Sequence, residues 1–384
     1  MSIIYKLEEL LRYEQPTPYI VESTDYDDKY DTPVLTAGKS YILGYTNEQT
    51  GVYDKLPVII FDDFTTASRY VNFPFKVKSS AMKILTANTD IVLPKYIYYR
   101  MQIIQFDHST HKRYWIQQYS KIRVTVPPLE EQQRIVARIE ELFSQLDDAE
   151  ATLQKTKTQL ALYRQAVLKE AFDGRMTNSA PESIARLGDY IETPRYGTSK
   201  KCSYDCENDK TAVYRIPNID YKTGRISHDD IKYAQFSANE LDGICLQQGD
   251  ILIIRSNGSV SLVGRAAMVC APDTAGTFAG YLMRLRIMDE EKLLPKYLFL
   301  YLESHQARIY IENKAKSTSG VHNINSTEIS DLRLPLYDKD TQYEIIEAVE
   351  SRLSVCDSIE QIVDLAFQRA EAMRQSILKN VFEG

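Results

Sequence analysis

The sequence has no long run of apolar residues, and its N-terminal segment lacks the apolar core of a secretory signal peptide. A membrane-spanning helix needs about 18 or more predominantly apolar residues in a row, so the chain is predicted to be cytoplasmic. Its five cysteines are odd in number and scattered. This usage favours reduced thiols over a disulfide framework.

Metal-binding motifs are also scarce. Cys202 and Cys206 have a spacing that can ligate zinc, but no second pair of Cys or His follows nearby. His108 and His111 lie together, yet two histidines alone are more often surface polar residues than ligands. The sequence therefore predicts no metal site.

Catalytic motifs are missing as well. Gly38-Lys39-Ser40 resembles the end of a phosphate-binding loop, but that loop needs glycine where this chain has Pro33. No Gly-x-Gly-x-x-Gly, Gly-x-Ser-x-Gly or His-Glu-x-x-His motif occurs. Asp62 and Asp63 could hold a metal, but no third acidic residue lies near them in sequence. The pair is better suited to orient hydroxyls and basic side chains, or to accept a hydrogen bond from a base amino group. We predict no catalytic residues in this chain.

The net charge of −7 argues at first against nucleic-acid binding. The excess of acidic residues, however, lies in segments 127–185 and 336–384. The segments between them, 1–126 and 186–335, are close to neutral and can carry basic faces. The distribution of charge therefore leaves DNA binding open.

What the sequence does contain is a long-range repeat. Residues 164–174 read RQAVLKEAFDG and residues 374–384 read RQSILKNVFEG, an offset of 210. A Leu-Pro-Lys-Tyr segment likewise occurs at 93–96 and again at 294–297. Solenoid repeats run to about 20–50 residues, so this much longer period indicates a domain duplication.

Each copy ends in a long helix with heptad spacing. Apolar residues recur from Ile135 and from Ile345 in alternating steps of four and three, which is typical of a coiled-coil seam. No Gly or Pro interrupts either segment, so each helix of about 45 residues would be about 65 Å long. Further apolar positions widen the stripe and indicate that more than one face is buried. The predicted seam and partner interface consists of Ile135, Ile139, Leu142, Leu146, Leu153, Leu160, Tyr163, Val167, Ile345, Val349, Leu353, Ile359, Val363, Met373 and Ile377.

The connection between the helices favours an antiparallel arrangement. A domain of about 150 residues, with a radius of gyration of about 15 Å, joins the end of the first helix to the start of the second and cannot comfortably bridge 65 Å. We therefore expect the second helix to run back along the first, with one domain at each end. Short apolar runs punctuated by Pro and Gly predict that both domains are mixed and mainly β. The expected fold class is α+β with internal pseudo-two-fold symmetry.

Both domains carry loops whose side chains suit DNA. Lys, Ser and Thr suit phosphates, whereas Arg, Gln and Asn suit base edges in the major groove. Each loop alone resembles an ordinary solvated loop, but their recurrence in both domains favours DNA binding. The candidates in the first domain are Tyr13, Gln15, Thr17, Gly38, Lys39, Ser40, Tyr41, Asp62, Asp63, Thr65, Thr66, Arg69, Lys78, Ser79, Ser80, Lys112 and Arg113. Those in the second domain are Arg195, Tyr196, Thr198, Lys200, Lys201, Arg255, Ser256, Asn257, Ser259, Lys316, Ser317, Thr318 and Ser319.

One motif and its degenerate copy resemble a known family. Residues 126–135 read VPPLEEQQRI, which is similar to the Pro-Leu-x-Glu-Gln start of the central conserved helix in specificity (S) subunits of type I restriction–modification systems. The copy runs over 334–342, and the likeness covers essentially the whole chain. At the second helix, residues 338–341 replace the Glu-Glu pair, so we expect less regular packing there. The first domain is expected to lack a leading segment.

The resemblance implies that the chain is a non-catalytic subunit that reads a split site in double-stranded DNA. Two adenine-specific methyltransferase subunits would dock on its helices, and two ATP-driven restriction subunits would join them. The chain would bind no cofactor, while its partners would bind S-adenosylmethionine and ATP with Mg²⁺. The implied domains are a first target recognition domain at 1–126, a central conserved helix at 127–174, a linker at 175–185, a second target recognition domain at 186–335 and a C-terminal conserved helix at 336–384.

Two other functions stay open at this stage. A coiled-coil adaptor could join two proteins without reading DNA, and it would bind random and target duplexes equally. A self-sufficient nuclease or methyltransferase would need an S-adenosylmethionine or metal site, and activity of the purified chain alone would reveal it. The DNA-recognition scaffold is the leading hypothesis because it accounts for both the repeat and the loops.

Overall fold

The structure is a computed structural model in which the chain divides into two compact units. Unit 1 comprises Met1–Lys155 with Val363–Gly384, and unit 2 comprises Thr156–Ile362. Each unit therefore combines one β-rich domain with part of each long helix. The description covers residues 2–38, 40–107, 113–177, 179–206, 210–318 and 320–383, without the side chains of 316–318.

The domain of unit 1 is built from short strands that form small sheets. The sheet orders are β2-β8-β5-β6, β4-β3-β7 and β1-β9. The elements are β1 (Ile3–Lys6), α1 (Leu7–Leu10), β2 (Leu11–Glu14), β3 (Thr32–Leu35), β4 (Ile42–Thr46), β5 (Val58–Asp62), β6 (Ser68–Val71), β7 (Lys76–Val77), β8 (Met82–Ala87), α2 (Pro94–Met101), β9 (Arg123–Val126) and the long helix α3 (Leu129–Phe172).

Strand β5 explains the unbroken apolar run in this part of the sequence. Successive side chains of a strand point to opposite faces, and both faces of β5 are covered. Ile59 and Phe61 enter one apolar core, whereas Val58 and Ile60 enter another. An apolar run without alternation is therefore the pattern this strand needs.

Unit 2 has a larger domain with the same plan. Its sheet orders are β11-β20-β16-β18-β14-β13, β15-β12-β19, β17-β22-β21 and β10-β23. Its elements are β10 (Ser183–Arg186), β11 (Arg195–Tyr196), β12 (Lys210–Tyr214), β13 (Ile219–Asp220), β14 (Arg225–Ile226), β15 (Lys232–Gln235), α4 (Ala238–Asp242), β16 (Ile251–Ile254), β17 (Ser256–Asn257), β18 (Ala266–Met268), β19 (Thr277–Phe278), β20 (Leu282–Leu285), α5 (Pro295–Leu302), α6 (His305–Lys314), β21 (Lys316–Thr318), β22 (Val321–Asn323), α7 (Ser326–Ser330), β23 (Arg333–Leu336) and the long helix α8 (Lys339–Glu383).

The central strand β16 repeats the arrangement of β5. Ile251 and Ile253 lie in one core, and Leu252 and Ile254 lie in another. The first of these cores continues onto the long helices, since it also contains Val167 of α3 and other side chains of both helices. The domain is therefore packed directly against the helical part of its own unit.

The two long helices begin with equivalent backbone hydrogen bonds, and α8 has a side-chain cap in addition. The first turn of α3 is closed by a hydrogen bond from the backbone of Gln132 to the carbonyl of Pro128. At α8, Asp338 accepts a 2.9 Å hydrogen bond from the backbone N–H of Thr341, as an N-cap side chain does. The start of α8 is thus capped by the Asp338 side chain, whereas the expectation of less regular packing there stays a prediction.

A buried glutamine ties each long helix to its domain. Gln132 accepts a 2.8 Å hydrogen bond from the backbone N–H of Leu93 and donates to the carbonyls of Ile91 and Pro127 at 2.9 and 2.8 Å. Gln342, 210 residues later, makes the equivalent bonds with backbone groups of unit 2, at 2.8 to 2.9 Å. Both glutamines are 0% exposed. The sequence repeat therefore corresponds to a repeated structural anchor.

Within each unit the helices run antiparallel. In unit 1, Arg374 of α8 contacts Asp147 and Glu150 of α3, while Phe382 packs with Val136 in one core. Later residues of α8 thus meet earlier residues of α3. In unit 2, the contacts of Arg164 with Asp357 and of Glu170 with Arg352 follow the same rule. The predicted α+β fold class with long antiparallel helices is confirmed.

The buried seam is narrower than the heptad pattern predicts. On α3, the side chain at every seventh position from Ile139 to Val167 is buried or half-buried, and the same holds on α8 from Val349 to Ile377. The second apolar position of each heptad is more exposed. In particular, Tyr163, Ile359 and Met373 are 49%, 36% and 52% exposed. These three side chains are therefore not buried in the seam and stay candidates for the partner interface. The remaining predicted members, Ile135, Leu142, Leu146, Leu153, Leu160, Val167, Ile345, Leu353, Val363 and Ile377, are buried or half-buried.

Candidate nucleic-acid interface

Asp63 brings candidate loops of unit 1 together. Its Oδ1 accepts a 2.8 Å hydrogen bond from the backbone N–H of Trp115. Its own backbone N–H donates to the carbonyl of Ala81 at 3.0 Å. The Asp63 side chain is 1% exposed and lies against the buried ammonium of Lys83, at 3.3 Å. The prediction that Asp63 touches DNA directly is therefore corrected: it organises the loops instead.

The neighbouring carboxylate, Asp62, shapes the turn that follows β5. Its Oδ1 accepts hydrogen bonds of 2.9 Å from the backbone N–H groups of Phe64 and Thr65. Thr66 then has φ of 57°, a conformation that few non-glycine residues adopt. The turn presents Phe64 and Thr65 at the surface. In this arrangement the two aspartate carboxylates have separate partners.

A second group of candidates in unit 1 surrounds Tyr41. The Arg69 guanidinium lies 6.0 Å from the Tyr41 ring centroid, and the Tyr41 hydroxyl donates a 3.3 Å hydrogen bond to the Tyr70 carbonyl. Burial raises the pKa of the Tyr41 hydroxyl to about 12. Arg69 is half-buried against aromatic rings, so its reach towards a ligand is limited.

The other candidates of unit 1 vary in exposure. Those at the surface are Tyr13, Gln15, Thr17, Ser40, Thr65, Lys78, Ser79, Ser80 and Arg113. Those that are half-buried are Gly38, Tyr41, Asp62, Thr66 and Arg69. Lys39 and Lys112, together with His108 and His111, lie outside the described residues.

In unit 2, candidate loops from three parts of the sequence converge. Strand β17 pairs with β22, which also pairs with β21, so that His322 lies opposite both Asn257 and Ser317. The backbone N–H of Ser326, just after β22, donates a 3.0 Å hydrogen bond to the hydroxyl of Tyr196. The structure therefore brings together the candidate segments near residues 195, 257 and 317.

Arg255 lies at the centre of this group. Its guanidinium is 4.4 Å from the Tyr196 ring centroid, well within cation–π range. Its Nη1 donates a 3.0 Å hydrogen bond to the Gly280 carbonyl. These contacts hold the half-buried side chain in one orientation beside the exposed ring of Tyr196. Ser256, in contrast, is 6% exposed, and its predicted DNA contact is corrected to a structural position in β17.

Lys200 is paired with a carboxylate. Its ammonium lies 2.7 Å from Glu240, and this hydrogen bond, with those from Ser237, lowers the pKa of Glu240 to about 2. Lys200 also donates to the carbonyl of Gln235 at 2.9 Å. Part of its predicted capacity for phosphate is therefore already used within the protein.

The remaining candidates of unit 2 are accessible to different degrees. The exposed ones are Arg195, Tyr196, Lys200, Lys201 and Ser259, and the half-buried ones are Thr198, Arg255 and Asn257. For Lys316, Ser317 and Thr318 the structure gives the strand β21 but not the side chains, and Ser319 lies outside the described residues.

A shallow groove occurs at corresponding places in the two units. The groove of unit 1, about 330 Å³, runs beside Tyr13, Trp115 and Ser120. The groove of unit 2, about 260 Å³, runs beside Thr193 and Ser330. Tyr13 corresponds to Thr193 at the offset of 180, and Ser120 to Ser330 at 210. The duplication is thus visible in the surface as well as in the helices.

Sequence reasoning missed several residues of these clusters. Lys83 lies in strand β8, three residues after the candidate Ser80, and no local pattern marks it. His322 and Asn323 join the second cluster only through the pairing of β22 with β17. Tyr281, 64% exposed, accepts a backbone hydrogen bond from Arg255. Pairing between strands that lie far apart in sequence leaves no signal in the local sequence.

Three further properties of the described residues concern the cysteines, the possible metal ligands and the hydropathy of the helices. All five cysteines are free thiols, as predicted. Among the described residues, no cluster of three or more His, Cys, Asp or Glu side chains is placed to hold a metal ion. Within the same part of the chain, no helix is both long and apolar enough to cross a membrane.

Comparison with known proteins decides the family. Residues 4–159 match the family model described as type I restriction modification DNA specificity domain. The EcoR124I/EcoR124II specificity subunit of Escherichia coli is 31% identical over 366 residues, covering 92% of this chain and 87% of that protein. The chain belongs to the type I restriction enzyme specificity subunits. The resemblance inferred from the helix motif is thereby confirmed, and DNA target recognition is its general role.

Other specificity subunits extend the likeness over the whole chain. The StySPI specificity subunit of Salmonella potsdam is 25% identical, covering 100% of this chain and 86% of that protein. Among solved structures, a chain from a study of complex assembly and conformational transition of the type I R-M system superposes with a TM-score of 0.69 at 16% identity, covering 98% and 99% of the two chains. The HsdS subunit from Thermoanaerobacter tengcongensis gives 0.52 at 18% identity, covering 100% and 97%. These structures share the fold of this specificity subunit.

Proposed function

We propose that this specificity subunit reads a bipartite target in duplex DNA, with one half-site for each unit. The main support is the convergence of polar loops in both units, around Asp63 in unit 1 and around Arg255 in unit 2. The two clusters differ in side chains although their supporting helices repeat. Different half-sites are what such a pair of clusters would read.

The exposed residues suit the two tasks of a DNA interface. Lys78, Arg113, Arg195 and Lys201 are exposed and would contact phosphates, which position the protein without reading sequence. Arg255 is held by Tyr196 and Gly280. Its side chain would therefore lose little conformational entropy when its remaining N–H donors bind a base edge. Arginine to guanine is the commonest specific contact in the major groove.

The long helices would dock two adenine-specific DNA methyltransferase subunits. Large apolar side chains remain exposed on them, including Leu162 at 68% and Ile362 at 65% in unit 2, and Leu365 at 51% in unit 1. Exposed apolar patches of this kind mark protein interaction sites. The exposed positions Tyr163, Ile359 and Met373 would belong to this outer surface. Two restriction subunits that move along DNA using ATP would join the assembly.

The chain itself would contribute no catalytic group. S-adenosylmethionine would be bound by the methyltransferase subunits, and ATP with Mg²⁺ by the restriction subunits. This assignment of the cofactors to partner subunits follows from the family resemblance. It predicts that the purified chain has no methyltransferase or nuclease activity. Activity of the chain alone would contradict it.

The decisive experiment is to express the methyltransferase partner with and without this chain and to sequence the host DNA for methylated adenine. A split motif that is modified only when the chain is present would support the proposal. Binding of the purified complex to that motif and to a shuffled duplex then separates it from an adaptor. Equal affinity for both duplexes would favour the adaptor and overturn DNA recognition by the two units.

A further inference from the structure

Lys83 is a buried cation in a strand that otherwise supplies apolar cores. Its side chain is fully buried, and its neighbours Met82 and Ile84 are buried as well. Burying an ammonium is costly, and a buried ion pair often stabilises a fold no better than apolar side chains of similar volume. The contacts that the Lys83 ammonium makes therefore explain its position better than a gain in folding stability does.

The ammonium lies between two side-chain oxygens, pairing with one as an ion and donating a hydrogen bond to the other. Lys83 Nζ lies 3.3 Å from Asp63 Oδ2 and donates a 3.1 Å hydrogen bond to Gln15 Oε1. The second oxygen of Asp63 is fixed by the backbone N–H of Trp115 at 2.8 Å. The cation is thus anchored on one side by a buried carboxylate. On its other side it reaches a residue at the surface.

This contact sets the orientation of the Gln15 amide. An ammonium has three donors and no acceptor, so only the oxygen end of an amide can bond to it. The nitrogen end of Gln15, with its two N–H donors, is then directed away from Lys83. Since the Gln15 side chain is exposed, the donor end is the part that a ligand would meet.

We propose that Lys83 positions Gln15 so that its Nε2 donors read an acceptor on a base edge in the half-site of unit 1. The proposal rests on DNA recognition by this unit and names the chemistry of one contact. Suitable acceptors are O6 and N7 of guanine, N7 of adenine and O4 of thymine. The amino groups of adenine and cytosine are excluded as the primary contact. Gln15 is then a specificity-determining residue and Lys83 a positioning residue.

Gln15→Glu is the first test, because it changes an exposed residue and replaces the donor end with an acceptor. The complex with methyltransferase is assayed on duplexes in which each base pair of the target is changed in turn. We expect affinity for the target to fall about 5- to 150-fold. We also expect one base-pair change in the unit 1 half-site, to a pair that offers an amino group, to restore part of that loss. Gln49→Glu, another exposed glutamine in unit 1, adds the same charge and is the matched control.

The second test removes the positioning cation without leaving a buried charge. Lys83→Met combined with Asp63→Asn keeps the volume and an acceptor for Trp115. We expect discrimination to weaken at the same base pair that Gln15→Glu identifies, and to stay unchanged across the other half-site. Retained thermal stability distinguishes this from unfolding, and Gln15→Glu gives the result independently if the double variant fails to fold.

The outcomes separate this inference from the proposed function. If Gln15→Glu weakens all duplexes equally, or none, Gln15 does not read a base and the inference is overturned. If the wild-type complex itself binds every duplex equally, DNA recognition fails, and the inference falls with it. A wild-type complex that discriminates, with a position-specific effect of both variants, supports both.

Discussion

Arg164 of α3 donates a 2.5 Å hydrogen bond to Asp357 of α8 within unit 2. The equivalent contact in unit 1 is also 2.5 Å long and joins Arg374 of α8 to Asp147 of α3. The arginine and the aspartate have thus exchanged helices. The two arginines lie 210 residues apart in sequence, and so do the two aspartates. The duplication seen in the sequence is thus a reciprocal exchange of contacts, as in an isologous interface.

Arg164→Gln should lower the free energy of unfolding by only about 0.2–1 kcal/mol, because its carboxylate partner is largely exposed. The loss should shrink in high salt, which screens exposed charges. Urea unfolding at low and high salt measures it. Arg138→Gln, whose partner Glu141 lies on the same helix, is the control. A loss that does not depend on salt would show that Arg164 stabilises by packing instead.

Gln132→Leu should be far more damaging. It leaves the backbone N–H of Leu93 and two carbonyls without the partners that Gln132 supplies in a buried site, and each buried unsatisfied group costs about 1–3 kcal/mol. We expect a loss of at least about 2 kcal/mol in the free energy of unfolding. Gln133→Leu, the exposed neighbour, should cost less than about 0.5 kcal/mol. Equal losses for the two variants would contradict the anchor.

Two substitutions on the long helices should separate folding from assembly. Leu146→Asp places a charge in the seam, where the native side chain is 8% exposed, and should destabilise the chain itself. Ile362→Asp changes a side chain that is 65% exposed, so it should leave thermal stability intact and reduce recovery of the methyltransferase in co-purification. Gln361→Asp is the matched control. Normal assembly of the Ile362 variant would place the docking surface elsewhere.

Arg255→Ala should weaken binding to the target by about 1–3 kcal/mol if the arginine reads a base. The effect should be confined to one position of the unit 2 half-site, and the methylation pattern should relax there. Affinity measurements on single-substitution duplexes test this. A uniform loss across all duplexes would instead assign Arg255 to a phosphate.

Glu240→Gln should release Lys200 for a phosphate. The salt slope of DNA binding should then steepen by about one unit, since each additional phosphate contact contributes about 0.9. The pKa of folded Glu240 is lowered to about 2, so the pair stabilises the fold above the ordinary pKa of 4.5 and loses that effect as pH falls towards 2. The stability difference between wild type and Glu240→Gln should therefore be constant near neutral pH and vanish in acid. An unchanged salt slope would mean that DNA does not pass near Lys200.

The repeat made the supporting structure predictable. Gln132 and Gln342 stand at the same offset as the helix ends, and both prove to be anchors with equivalent bonds. The heptad spacing likewise predicts the two long helices. It does not separate a face buried within the chain from one kept for a partner, because both are apolar. Heptad spacing alone therefore does not distinguish Tyr163, Ile359 and Met373, which are exposed, from the buried members of the seam.

The recognition clusters were less predictable. Charged residues are rarely fully buried, so the burial of Asp63 and Lys83 runs against the usual expectation for both. Their partner Gln15 is 68 residues from Lys83 in sequence, and only the pairing of β8 with both β2 and β5 brings the three together. Loop composition identified which segments cluster, but not which side chains within them are accessible.

The two glutamine anchors bond only to backbone groups of the domains they hold. A backbone N–H or carbonyl is the same whatever side chain it carries, so the anchor places no demand on the identity of Leu93 or Ile91. The anchor bonds can therefore persist while the side chains of each β-rich domain change. The apolar core that joins the domain of unit 2 to the long helices, in contrast, depends on side chains such as Tyr297 and Leu298.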